Sequence, residues 1–350
     1  MKTPIRIIIR RVYILAFILA VPALQSGNAQ MSHYSLGSAD NMYINPANTG
    51  NYDGIRRISL MYRSQWDKIS VPFTYKMISF EKPFFVYSEK FNLGVSLQAD
   101  QSGTAGFRSI SPVGYLSYYK EMGKSTVAVG FCGGMVHQSF SLDGLTNPGQ
   151  FNYETGYFDA SMENAEPDLS MSHLFPLAGF GLLWKRQTEN WTPQFGFSMV
   201  DITKPRVMLY GLKKRIEPAY SGHVSLQYKP SSQYEANLFG IIRQRGKENE
   251  VLCGVNGLWH FISDEKKNPA FMAGVSVRRG GFSTNDALIW STGLQYGRWT
   301  GRISYDHTIS RLKKLGKMVG STEISLVYTA PPIRSSDLSK PCKRYSANSL

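Results

Sequence analysis

The stretch from Asn45 to Trp66 reads NPANTGNYDGIRRISLMYRSQW, and its reading decides the fold. It opens on an Asn-Pro-Ala turn, passes through a link rich in Gly, Asn and Asp, and then alternates over Ile58-Ser59-Leu60-Met61-Tyr62-Arg63 before closing on Trp66. Pro46 fixes its own φ and biases Asn45 away from helix, so the turn precedes the strand as a separate element. The device recurs down the chain: an alternating strand, then a break at turn residues.

Fourteen period-2 segments of membrane-crossing length are expected, at about 55–66, 74–82, 91–100, 108–121, 125–143, 171–187, 191–201, 219–230, 234–244, 251–262, 269–278, 287–297, 299–310 and 322–329. Leu93, Val95 and Leu97 alternate with Gly94, Ser96 and Gln98; Trp290, Thr292, Leu294 and Tyr296 oppose Ser291, Gly293 and Gln295. A soluble sandwich gives the same alternation, but three features favour a closed outer-membrane barrel. Short links (122–124, 188–190, 231–233 and Arg298) alternate with long ones such as 144–170, 202–218 and 311–321, matching short periplasmic turns and long external loops. The six tryptophans, Trp66, Trp184, Trp191, Trp259, Trp290 and Trp299, are expected near strand ends, as in an interfacial girdle. The second face carries small and polar residues suited to a wet or loosely filled lumen.

Composition agrees. Aromatics make up 13% of the chain with 32 glycines and 18% charged residues, which suits strands better than helices. Residues 1–29 read as a secretory signal: Lys2, Arg6, Arg10 and Arg11, then the apolar run Val12–Leu24, then Gly27-Asn28-Ala29, leaving Gln30 as the new N-terminus. The apolar run is short for a membrane anchor. Its removal takes the formal charge from +14 to +10. For an exported chain that surplus points to anionic outer-membrane lipid or lipopolysaccharide rather than nucleic acid. The domain reading is therefore a signal at 1–29, a periplasmic or plug segment at 30–54, a barrel at 55–330 and a periplasmic tail at 331–350.

No catalytic, cofactor or metal site is expected. Six histidines are scattered singly, and a hydrolase site of Asp306-His307 with a serine from a neighbouring strand can be imagined but no motif supports it. Cys132 and Cys253 fall on opposite faces of the wall and Cys342 is left over, so no disulfide framework follows. Asp143, Asp159, Glu163, Glu166 and Asp168 could attract a hard cation, but without EF-hand spacing. The basic runs Arg311–Lys317 and Lys213-Lys214-Arg215 read as external loop charge.

Several blocks together resemble the PorP/SprF family of outer-membrane proteins of the type IX secretion and gliding-motility apparatus. They are Asn45-Pro46-Ala47, Tyr62-Arg63-Ser64-Gln65-Trp66, Ser79-Phe80-Glu81 before Pro83, Tyr305-Asp306-His307-Thr308-Ile309-Ser310, and Gly320-Ser321-Thr322-Glu323-Ile324-Ser325-Leu326. Cys342-Lys343-Arg344-Tyr345 echoes a Cys-Pro-Arg-Phe-like terminus with two departures. The resemblance implies a non-enzymatic barrel acting with secretion components and with a secreted surface protein. Asn45, Pro46, Ala47, Arg63, Gln65 and Trp66 are the expected partner-binding residues, with the Asn-Pro-Ala turn facing the periplasm and Trp66 at the outer interface. From the residues alone, a passive channel for small or hydrophobic solutes remains the alternative.

Overall fold

The computed structural model describes residues 35, 41–65, 71–87, 89–102, 106–140, 150–159, 161–162, 171–209, 212–261, 269–280, 284–309 and 320–331. The signal at 1–29, Trp66, the Arg311–Lys317 run, the carboxylates of Glu163, Glu166 and Asp168, and Cys342 with its tail lie outside the described residues.

The strands are β1 (Arg56–Gln65), β2 (Phe73–Val86), β3 (Glu89–Ser102), β4 (Phe107–Met122), β5 (Ser125–Phe140), β6 (Phe151–Asn152), β7 (Tyr157–Phe158), β8 (Met171–Arg186) and β9 (Trp191–Val200). They continue with β10 (Arg206–Leu209), β11 (Leu212–Arg215), β12 (Ala219–Tyr228), β13 (Tyr234–Arg245), β14 (Glu248–His260), β15 (Ala270–Gly280), β16 (Thr284–Tyr296), β17 (Trp299–Thr308) and β18 (Gly320–Ala330). Fourteen of these close an antiparallel ring, while β6–β7 and β10–β11 form two small hairpins in the long loops. The ring closes where β1 meets β18, in register from Arg56 opposite Ala330 to Gln65 opposite Ser321. Closure leaves no unpaired strand edge, which is what lets a sheet exist in hydrocarbon.

The alternation sorts the two faces. Leu93, Val95 and Leu97 stand exposed on the outside of β3, while Asn92 and Ser96 are buried inside it. On β1 the exposed set is Ile58, Leu60 and Tyr62, against buried Arg57, Ser59, Met61 and Arg63. A chain that turns aliphatics outward and arginines inward is built for a lipid exterior. Cys132 is buried on the inner face and Cys253 exposed on the outer, so the two do not meet.

Short turns mark one rim. Aromatics on the outer face gather just above it: Phe84 stacks on Phe91 at 5.6 Å and Phe91 on Tyr118 at 5.0 Å. Trp184 stacks on Phe195 at 5.6 Å, Trp191 on Tyr228 at 4.1 Å, and Trp299 packs on Tyr328 at 4.9 Å. Amphipathic rings at one level form an interfacial girdle, here on the periplasmic side because short turns face the periplasm. Trp290 departs from the expected pattern. The β15–β16 ladder runs on to Gly280 opposite Thr284, three residues beyond the expected start of that strand, so Trp290 sits mid-strand. Its indole faces outward above a hollow floored by Gly257, Ala273 and Thr292.

Loop parity departs in several places, the three-residue external link 281–283 among them. The link 261–269 on the periplasmic rim is long, and Gly246-Lys247 on the external rim is a two-residue turn. Gly246 makes that turn possible by taking φ +57.

Candidate functional site

The lumen is occupied by the chain's own N-terminal segment. A one-turn helix α1 (Asn41–Ile44) leads into a 3-10 turn, Pro46–Asn48. Asn45 caps that turn from an extended conformation (φ −153, ψ 119), its Oδ1 accepting the Ala47 N–H at 2.8 Å. Pro46 stands at the first position, where a helix has no use for an N–H. The Asn-Pro-Ala triplet is thus a self-capped corner.

The wall binds this corner at every level. Asn45 Nδ2 donates to the Leu182 carbonyl on β8 at 2.9 Å. Ser198 on β9 donates to the Ile44 carbonyl at 2.7 Å, and on β4 Tyr119 and Ser117 donate to the carbonyls of Ala47 (2.8 Å) and Thr49 (2.7 Å). A methyl group at Gly181 would overlap the Asn45 amide, and one at Gly130 the Pro46–Ala47 peptide. Only glycine admits so close a backbone approach. Asn45 and Ala47 are 0% exposed. The expectation that this turn faces the periplasm is therefore corrected: the segment folds up into the barrel, because its backbone polar groups find partners on the inner wall.

Two buried ionic clusters hold the ends of the segment. Near the periplasmic rim, Glu81 on β2 accepts from Gly50 N at 2.7 Å and pairs with Arg57 at 2.5 Å. Arg57 lies 4.9 Å over the Tyr52 ring, and the Tyr52 hydroxyl donates to the Glu81 carbonyl at 2.9 Å. Burial, and then the charge of Glu81, push the Tyr52 phenol up, keeping it a donor. Nearer the outer rim, Ser35 N donates to Glu323 at 2.8 Å and Ser35 Oγ to Asp306 at 2.6 Å. Arg63 bridges Asp306 (2.9 Å) and Glu323 (3.2 Å), and Arg278 also pairs with Asp306. Opposite charges with shared hydrogen bonds offset the cost of burying such groups.

Among the expected site residues, Asn45, Pro46 and Ala47 lie together on the inserted corner, and Arg63 belongs to the outer cluster. Gln65, half-buried, ends β1 opposite Phe73 and Ser321. Sequence reading did not single out Glu81, Arg278 or Glu323 for a role. Their signal was a charged residue in phase with the inward face of an alternating strand. Asp306 and His307 form no hydrolase dyad, because successive strand side chains point to opposite faces and Asp306 is taken by two arginines. Among the described residues no group of three His, Cys, Asp or Glu could hold a metal ion.

Residues 26–328 match the family model described as type IX secretion system membrane protein PorP/SprF. The chain belongs to this family. The PorP/SprF chain is accordingly an outer-membrane barrel of that secretion system. Among curated proteins none matches it in sequence. Solved structures similar in fold include the CymD monoaromatic hydrocarbon channel, at 12% identity and TM-score 0.50, covering 84% of this chain and 93% of that one. A Pseudomonas aeruginosa FadL homologue is similar at 11% identity and TM-score 0.48, covering 81% and 92%. At 12% identity the likeness of the PorP/SprF chain to CymD is one of fold.

Proposed function

We propose that this PorP/SprF chain is a closed, non-enzymatic accessory barrel that assists secretion or surface attachment of a particular exported protein through protein–protein contacts. The observation that carries this reading is the inserted segment, pinned from Ser35 at the outer cluster to Gly50 at Glu81. A barrel whose lumen is fastened shut by buried ion pairs suits a scaffold better than a pore. Its contacts with other type IX components fall to the rims and loops, and its basic loops to anionic lipid. The passive channel reading, suggested by the likeness in fold to the CymD monoaromatic hydrocarbon channel, requires residues 41–54 to leave a seat in which Asn45, Thr49 and Glu81 are buried. The test is the surface proteome of a deletion strain. One exported protein should be lost from the surface while nutrient uptake is unchanged; an intact surface proteome overturns the reading.

A further inference from the structure

On the lipid-facing side of the barrel, at the level of the periplasmic girdle, the seam where the ring closes carries three cations. Arg56 opens β1, Lys82 lies near the periplasmic end of β2, and Arg298 sits in the β16–β17 turn; all three are exposed. The strand period sets Arg56 in phase with outward Ile58 and Leu60, and Lys82 in phase with outward Ile78 and Phe80. The β1–β2 register places Arg57 opposite Glu81, and one further step of it sets Arg56 opposite Lys82. Like charges facing each other across a ladder are destabilising.

A second convergence lies one strand away. Arg298 Nη1 donates to the Tyr328 hydroxyl on β18 at 3.3 Å, and the Arg56 guanidinium bears on the same hydroxyl from β1. A neutral phenol does not balance two guanidiniums. Carboxylates do not balance them either: on the outward faces of β17, β18, β1 and β2 none of the described residues is Asp or Glu. Glu81 turns into the lumen, where it pairs with Arg57, and Glu89 on β3 pairs with Lys120. Asp53, three residues before Arg56, acts on Lys185 of β8.

The surroundings decide which counter-charge fits. Trp299 packs on Tyr328 at 4.9 Å, at the depth where interfacial aromatics meet lipid head groups. Deeper along the same strands, Ile58, Leu60, Phe80 and Leu326 are exposed toward hydrocarbon. An anion at the cluster therefore has acyl chains on one side and water on the other. Arginine matches phosphate oxygens through paired N–H donors, and basic clusters at this depth select acidic lipids. A zwitterionic head group would bring an ammonium that no carboxylate receives. Lipopolysaccharide belongs to the opposite leaflet.

We propose that Arg56, Lys82 and Arg298 hold the phosphate of an anionic phospholipid of the periplasmic leaflet. The acyl chains lie along the outward faces of β18, β1 and β2. Because these cations flank the β1–β18 junction, the lipid braces from outside the seam that closes the ring. This inference stands apart from the secretion reading.

The test uses the full chain, purified in mild detergent and stripped of lipid. It is titrated with phosphatidylglycerol, with phosphatidylethanolamine and with inorganic phosphate, and bound lipid is counted by native mass spectrometry. Phosphatidylglycerol should be retained in preference to phosphatidylethanolamine, and the double variant Arg56→Gln with Arg298→Gln should weaken its retention roughly 30-fold. Lys76→Gln removes an exposed lysine nearer the external end of β2 and should leave retention unchanged. If the double variant does not fold, as read from heat-modifiable gel mobility, Lys82→Gln serves, with a loss of roughly fivefold. Equal retention of the two lipids, displacement of lipid by inorganic phosphate, retention untouched by the cluster variants, or an equal loss in Lys76→Gln would overturn the proposal.

Discussion

Asn45 donates to the carbonyl of Leu182, 137 residues further along the chain, through the same side chain whose oxygen caps the turn at Ala47. One amide thus fixes the corner and ties it to the wall. Asn45→Ala removes a cap worth about 1 kcal/mol and leaves the Ala47 N–H, a buried group, without its acceptor, at about 1–3 kcal/mol. The expected outcome is an N-terminal segment cut faster by added protease while the barrel keeps its heat-modifiable mobility. Unchanged cleavage would mean the corner is held by packing alone.

The wall glycines make a sharper demand. Gly181→Leu places a side chain where the Asn45 amide lies, and no rotamer of leucine avoids that overlap because its Cβ is already too close. Planar-bilayer recordings should show the variant conducting where the wild-type barrel is silent. A silent, folded Gly181→Leu barrel would show that the segment has a second seat.

Charge inside the outer cluster is interdependent. Arg63→Met leaves Glu323 and Asp306 short of a cation in a buried site, a class of change costing about 3–5 kcal/mol. Urea unfolding in lipid vesicles should register a loss of that order, and replacing Glu323 with Gln in the same chain should restore part of it. If Arg63→Met unfolds like the wild type, the cluster contributes nothing to stability.

The lipid face can be checked by a single charge. Val95, outward and mid-strand on β3, becomes an arginine in Val95→Arg, expected to cost about 2–4 kcal/mol near the bilayer midplane. The same substitution at the neighbouring, inward Ser96 should behave differently, meeting the lumen rather than lipid. Equal costs at the two positions would refute the assignment of faces.

How much of this was legible in the sequence depends on range. The β3 alternation of Leu93, Val95 and Leu97 is a local signal, and it gave the strand, its faces and the barrel. Turn lengths were nearly as local, but the tight Gly246-Lys247 turn and the long 261–269 link show that parity is a tendency. Trp290 was misplaced because the end of a strand is set by its ladder partner, here Gly280 opposite Thr284. The site was harder to read. Arg63 meets Glu323 only because the ring closes β1 onto β18, a contact 260 residues apart that no window of sequence contains. The Asn-Pro-Ala corner was recognisable as a turn. Its place inside the lumen followed from partners on β4, β8 and β9 that the motif itself does not name.

The most direct measurement is the conductance of the purified wild-type chain in planar bilayers. A barrel held shut from Ser35 to Glu81 and working through contacts with other proteins should give no steady current across small solutes and ions. A stable, solute-selective conductance from the wild-type barrel alone would contradict it.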